Sequence, residues 1–343
     1  MKRARTIAMI GSLCVMTLAG QTKTGTTIGQ FLLIEPSARG AALGGTGVTS
    51  TTEAFAAYYN PGNLGQLARS DIQFAHNSWF GGVTLNYANV ALRLTETSTG
   101  LLTLTHLSSG EIDVRTVEQP EGTGERFTVS DLALGVGYAV GLKEAFSCGI
   151  QINYIEERIW HSKVSLIGIN VGTLYELSPG GLRIGASLSN FGSRNQFSGT
   201  DLKVRYDIDP QRYGDNSSVP AELTTDEYGL PILFVVGVSY PFLINQSNTI
   251  RVAAEAHHPN DNSESISLGV EYEFEGLIAL RAGYQDLFQR DSEVGLTLGA
   301  GFTLEQLGYD VRFDYSWGSH KRLGDVQRIA VAFAFMTWID SNE

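Results

Sequence analysis

Residues 265–274 read Ser-Ile-Ser-Leu-Gly-Val-Glu-Tyr-Glu-Phe. Ile266, Leu268, Val270, Tyr272 and Phe274 fall on one parity, and Ser265, Ser267, Gly269, Glu271 and Glu273 on the other. Successive strand side chains point to opposite faces, so this stretch predicts a strand with one apolar face and one small or polar face. The same period recurs outward from it. Tyr309, Val311, Phe313 and Tyr315 alternate with Asp310, Arg312 and Asp314, and Ile329, Val331, Phe333 and Phe335 alternate with Arg328, Ala330, Ala332 and Ala334. Similar runs lie at residues 181–190, 249–258, 276–285 and 293–303.

In all, about fourteen strands are expected, centred near Phe74, Asn89, Leu104, Leu134, Ile150, Ile169, Ala186, Val236, Ala253, Val270, Leu280, Leu298, Val311 and Ala332. The second has the weakest pattern, because its parity breaks around residues 87–90. Strands of about ten residues match a tilted bilayer crossing, whereas strands of soluble proteins average about five or six. The non-apolar parity carries Gly, Ser, Ala and Thr with scattered charges: Arg183, Arg251, Glu255, Glu271, Arg281, Asp310, Arg312, Asp314 and Arg328. That composition suits a crowded lumen in which charges pair across the interior. Short turns (141–144, 178–181, 245–248, 275–276, 305–306) alternate with longer loops (110–125, 193–229, 259–263, 287–292, 318–324). The expected fold is therefore all-β, a transmembrane antiparallel barrel with short periplasmic turns and longer outer loops.

Composition agrees. Charged residues make up 17% of the 343, against about 25% in ordinary domains. The net charge is −12, and there are 39 glycines. An acidic balance without a basic stripe argues against nucleic acid, and 43% hydrophobic residues argue against disorder. A mean hydropathy of −0.03 excludes a helical membrane protein. A glycine-rich soluble β protein is the alternative that composition alone leaves open.

Lys2, Arg3 and Arg5 precede an uncharged apolar run, and Thr17-Leu18-Ala19 offers a cleavage site. This is the layout of a signal peptide over residues 1–19, too short to span a membrane as a helix. Cleavage would leave Cys148 as the lone cysteine, so no intramolecular disulfide is expected. Residues 20–67 lack the period of two and are rich in Ala, Gly and Thr. They predict an N-terminal hatch or plug with short helices near 37–43 and 52–59, the second ended by Asn60-Pro61-Gly62. Residues 68–343 form the expected barrel.

Chemistry-bearing patterns are sparse. His257 and His258 are adjacent on a strand, point to opposite faces and cannot chelate one ion. Asp261-Asn262-Ser263-Glu264 lacks the ligand spacing of a calcium loop and is expected to be a solvated turn. Gly135-x-Gly137 and Gly299-x-Gly301 sit inside alternating strands, not before helices, so they are inward glycines rather than phosphate loops. There is no Gly-x-Ser-x-Gly. No enzyme activity, metal or cofactor is expected. Trp79, Phe80, Trp160, Tyr240, Phe242, Tyr284, Phe288, Trp317 and Trp338 fall near strand ends and are expected to form interfacial girdles. The longest connection, 193–229, interleaves Tyr206, Tyr213 and Tyr228 with acids and with Pro210 and Pro220. Loops of that length are usually functional or disordered. Tyr206, Asp207, Asp209, Pro210 and Tyr213 are the candidate partner-docking residues.

Residues 37–67 contain Ala38-Arg39-Gly40-Ala41, Leu43-Gly44-Gly45 and Tyr59-Asn60-Pro61-Gly62-Asn63-Leu64. This resembles the N-terminal signature of the PorV/PorQ family of outer-membrane proteins, departing at Gly62-Asn63 where the family usually reads Ala-Gly. Residues 118–124, 206–210, 258–262 and 281–284 extend the resemblance over most of the chain. The resemblance implies a fourteen-stranded barrel similar to FadL-type channels, and a non-enzymatic part in type IX secretion. PorV-like members are expected to take cargo from the translocon by its C-terminal domain and pass it to an attachment complex. The implied partners are thus outer-membrane lipid, translocon, attachment complex and cargo. The alternative is a FadL-like channel for hydrophobic small molecules, which predicts an apolar pocket between hatch and wall. No catalytic residues carry over.

Overall fold

The computed structural model describes residues 24–50, 53–143, 145–209, 211–212, 218–289, 292–306 and 308–336. The expected signal peptide, Pro210, Tyr213 and Trp338 lie outside them. Fourteen long strands follow in chain order: β1 Ser70–Ser78, β2 Thr84–Thr95, β3 Ser98–Asp113, β4 Arg126–Lys143, β5 Phe146–Ile159, β6 Ser162–Glu176 and β7 Arg183–Gly192. The second half comprises β8 Leu233–Asn245, β9 Asn248–Pro259, β10 Ser265–Phe274, β11 Ile278–Leu287, β12 Val294–Gln306, β13 Tyr309–His320 and β14 Gly324–Phe335. Each of the fourteen expected centres falls inside one of them.

Neighbours in sequence pair antiparallel, and β1 pairs with β14 from Ser70↔Phe335 to Ser78↔Gln327. The sheet closes into a fourteen-strand barrel. Closure leaves no strand edge in lipid, where an unpaired backbone group would find no water. Among the described residues no helix is long and apolar enough to cross a membrane. The outward parity carries Phe74, Leu102, Val136, Ile152, Leu268, Val270 and Leu298, all exposed on the barrel wall. In water such a continuous apolar belt would be a liability; in a bilayer it is the buried surface.

The weak pattern of β2 has a packing cause. Its inward residues Leu85, Tyr87, Asn89 and Ala91 are all buried, so the alternation is intact. The inward face is apolar there because Tyr87 meets Phe55 of the hatch edge-on, with ring centroids 5.2 Å apart.

Residues 24–67 run down the lumen from the long-loop rim to the short-turn rim. They hold α1, Ala38–Ala42, and α2, Ala56–Tyr59, with 3-10 turns at Gln30–Leu33 and Pro61–Gln66. Ser37 caps α1, its Oγ accepting from Gly40 N at 3.1 Å. Both helices are shorter than the sequence predicts. Gly44 and Gly45 follow α1 in left-handed conformation, with φ of 70° and 79°, and stop it. Phe31, Ala38 and Phe55 pack with Tyr87, Ile155, Leu166 and Leu230, and Ala54, Ala57, Leu64 and Leu67 with Ala91, Leu101 and Ala139.

Candidate functional site

The short-turn end of the hatch is held by Asn60. Its Nδ2 donates to the carbonyls of Val48 at 2.8 Å and Thr173 at 2.9 Å, and its Oδ1 accepts from Gly62 N at 2.9 Å. Asn60 thereby caps the 3-10 turn that begins at Pro61, whose fixed φ suits a first helical position. Gly62 and Pro61 rest on the backbone of Gly149 and Gly172 in the wall. Other wall glycines do the same: Gly185 abuts Val48, Gly269 and Gly283 abut residues 43–44, and Gly299 abuts Ala42. A side chain at these inward positions would hold the hatch off the sheet.

The middle level is an ion network. Arg39 Nη2 lies 2.7 Å from Glu271 Oε1, and Arg281 Nε 2.7 Å from Glu271 Oε2. Arg251 also pairs with Glu271. Arg281 Nη1 reaches Asp314 at 2.5 Å. Arg312 contacts Glu53 at 3.2 Å, Asp314 at 3.3 Å and Asp71 at 3.6 Å. Nearer the rims, Arg183 pairs with Glu176 at 3.3 Å and Asp310 with Arg69 at 2.7 Å. Arg328 Nε donates to the Glu35 carbonyl at 2.9 Å and its guanidinium lies over the Trp79 ring. Glu255 accepts from Val48 N at 2.7 Å. Each of the nine charges singled out in the sequence thus has a partner, and four of them (Glu255, Glu271, Arg312 and Arg328) contact the hatch directly. Their hatch partners Glu35, Arg39 and Glu53 were not foreseen. The available signal was charge inside an Ala/Gly-rich stretch, where a solvated residue has no reason to recur.

At the long-loop end a cavity of about 290 Å³ separates hatch from wall. The hatch contributes Phe31, Leu32, Tyr58 and Tyr59, whereas the wall contributes Thr103, Gln151, Asn153, Asn170, Asn190, Glu255 and His257. The lining is mixed rather than apolar throughout, since the wall also contributes Tyr87, Ala133, Leu233 and Val235 and the hatch also contributes Gln30 and Glu35. Tyr59 donates to Glu35, which also lines the cavity. Burial pushes the Glu35 carboxyl up to about 8, against the opposing pull of Arg328 and with a smaller push from Glu255.

One sequence reading is corrected here. Asp261 is 5% exposed rather than solvated, and its carboxylate accepts from Thr27 Oγ1 and Gln30 Nε2, both at 2.6 Å. It clamps the start of the hatch, beside the bridge between Thr27 and Gly229. Trp79 packs tilted against Phe80 and edge-to-face with His320, and the Arg328 guanidinium lies over its ring. His257 and His258 do diverge, His257 toward Glu255 and exposed His258 toward Glu264.

The long connection between β7 and β8 carries its own small hairpin, Lys203–Tyr206 against Val219–Glu222. Tyr206 is 58% exposed, and Ile208 and Leu223 are exposed beside it. Asp207 and Asp209 accept from the backbone N–H groups two residues on, at 3.1 Å and 3.3 Å. At the base of the connection, Tyr228–Gly229 pairs with Arg194–Asn195. One loop therefore carries both the exposed hairpin and, at Gly229, the contact with the hatch.

The fold is shared with solved transport barrels. The CymD monoaromatic hydrocarbon channel superposes with a TM-score of 0.57 at 13% identity, over 88% of this chain and 97% of that one. The Pseudomonas putida toluene transporter TodX gives 0.58 at 12% identity, over 88% and 98%. A Pseudomonas aeruginosa FadL homologue gives 0.50 at 11% identity, again over 88% and 98%. At such identities the likeness is one of fold. No curated protein matches the sequence. The family model described as type IX secretion system protein PorV matches residues 18–259. The chain belongs to the PorV family, as an outer-membrane barrel of FadL-like fold associated with type IX secretion.

Proposed function

We propose that this protein is a non-enzymatic docking component of type IX secretion, holding exported cargo at the cell surface through the β7–β8 connection. The observation that carries the reading is the pairing of a filled lumen with a built outer loop. The hatch is fastened to the wall at the Asp261 clamp and again at the Asn60 anchor, which supports a barrel that does not itself conduct cargo. The exposed, partly apolar hairpin around Tyr206 and Ile208 is the part of the chain shaped to meet a protein. In this reading residues 1–19 are a cleaved signal, residues 20–67 the hatch and residues 68–343 the barrel. The translocon, the attachment complex and cargo C-terminal domains are the partners.

The test replaces residues 203–222 with a short Gly-Ser linker. The barrel should still show heat-modifiable migration, while cargo bearing its C-terminal domain no longer co-purifies. Unchanged cargo recovery would refute the reading. The second reading, a channel for hydrophobic small molecules, is favoured by the cavity beneath the loops. Uptake of a labelled hydrocarbon into proteoliposomes, dependent on the protein, would support it over docking.

A further inference from the structure

We propose that the outer hairpin of the β7–β8 connection takes up a partner polypeptide as an added β-strand along its Lys203–Tyr206 edge, and that the strand it selects alternates acidic with apolar residues. This mode of capture rests on the cargo-docking reading and specifies how the partner is held.

The hairpin pairs Lys203 with Glu222, Val204 with Ala221, Arg205 with Pro220 and Tyr206 with Val219. Leu223 N donates to the Leu202 carbonyl at 2.8 Å. Hydrogen-bonded and non-hydrogen-bonded pairs alternate along an antiparallel ladder, so Val204 with Ala221 and Tyr206 with Val219 are bonded pairs. Lys203 and Arg205 on one strand, and Pro220 and Glu222 on the other, therefore turn their backbone groups outward. The two outer edges differ. Pro220 has no N–H, and a proline at an outward position blunts an edge against strand addition. On the opposite edge the Lys203 N–H is taken by the Thr200 carbonyl. The Lys203 carbonyl and both backbone groups of Arg205 bond to no described residue. Unpaired N–H and C=O groups along a strand edge are a template for another strand.

The side chains say which strand. Lys203 and Arg205 are exposed and share one face, whereas Val204 and Tyr206 share the other. Glu222 stands across the ladder from Lys203, but Arg205 faces Pro220 and has no acid opposite it. On a chain of net charge −12 this edge thus presents two neighbouring cations. A strand laid beside it would set alternate residues next to Lys203 and Arg205, where acids are favoured, and the intervening ones next to Val204 and Tyr206, where apolar groups are. A second copy of the same edge would bring lysine and arginine against each other, so self-pairing is opposed. The occupant is therefore an extended acidic–apolar segment of another protein.

The test is fluorescence anisotropy of a labelled peptide of repeating Glu-Val with the detergent-purified full-length protein. It should bind at least about tenfold more tightly than a Lys-Val peptide of equal length. Arg205→Pro removes only an outward N–H, at the kind of position Pro220 already holds on the other strand, so the hairpin keeps its ladder. That variant should weaken Glu-Val binding by about tenfold or more, whereas Arg205→Gln keeps the backbone groups and should weaken it a few-fold. N-methylated peptides leave the protein untouched. Only one alternate set of peptide N–H groups points at the edge, so N-methylation of that set should abolish binding and N-methylation of the other should not. Absence of Glu-Val binding, equal binding of Lys-Val, an equal response to the two methylated sets or indifference to Arg205→Pro overturns the proposal. If cargo recovery survives replacement of residues 203–222 while the peptide shows the expected pattern, cargo docking fails alone. If cargo is lost with those residues but Arg205→Pro leaves peptide binding unchanged, strand addition fails alone.

Discussion

Arg39 of α1 and Glu271 of β10 are 232 residues apart in sequence and meet at 2.7 Å inside the barrel, both nearly fully buried. Glu271 is the shared acceptor of three guanidinium groups, from Arg39, Arg251 and Arg281. Glu271 is therefore the point where a hatch cation joins the wall network, as Glu53 with Arg312 is the point where a hatch anion does. Glu271→Gln should leave these cations short of counter-charge and cost about 3–5 kcal/mol, the usual penalty for breaking a buried pair from one side. Because β-barrel pairing is untouched, the loss should fall on hatch docking. Limited proteolysis in detergent should cut within residues 24–67 while the barrel core stays resistant. A hatch as resistant as that of the wild type would show that the network adds no stability.

The docked hatch should weaken as pH rises. Glu35 has a raised value of about 8 against an ordinary 4.5, because burial outweighs Arg328 and adds to Glu255 and Glu53; the Ser37 backbone and the Tyr59 hydroxyl also face it. Between those values the docked state holds a proton that the released hatch would lose. Docking is thus strongest below about pH 4.5, falls by about 1.4 kcal/mol per pH unit toward 8, and is level above. Hydrogen exchange of residues 30–60 against pH would show the slope, and Glu35→Gln should flatten it.

Asn60→Ala removes three buried hydrogen bonds at once and strands the carbonyls of Val48 and Thr173. A loss of about 2–4 kcal/mol in hatch stability follows, since unpaired buried groups cost about 1–3 kcal/mol each and some relaxation is open to them. Denaturant titration of an environment-sensitive probe placed on the hatch would measure it. Asn60→Asp should recover part of the loss through the retained cap to Gly62 N.

Gly40 and Gly47 form a cradle around Tyr59, such that a Cβ at either would overlap its ring or hydroxyl. Gly47→Ala should destabilise the hatch by about 1–3 kcal/mol through overpacking. Combining it with Tyr59→Ala should cost less than the two changes added together, because the clash disappears with the ring. Additive losses in a double-mutant cycle would remove the cradle from the account.

The barrel was legible in the sequence because its rule is local. A strand with one face in lipid and one in a crowded lumen must alternate, and Ser265–Phe274 shows that alternation without reference to any other part of the chain. The fourteen strand positions, the lumen parity of Arg251, Glu271 and Arg281, and the inward glycines all follow from that period. The family signature around Asn60-Pro61-Gly62 was equally plain as a string of residues. Which wall residues those side chains would meet was not. The pairing of Arg39 with Glu271, the clamp of Asp261 on Thr27 and the descent of residues 24–67 through the lumen join segments more than 200 residues apart, and no local periodicity encodes such distances. The cavity belongs to the same class. Its lining comes from side chains on ten strands and the hatch, each unremarkable in its own segment, and only barrel closure sets them around one space.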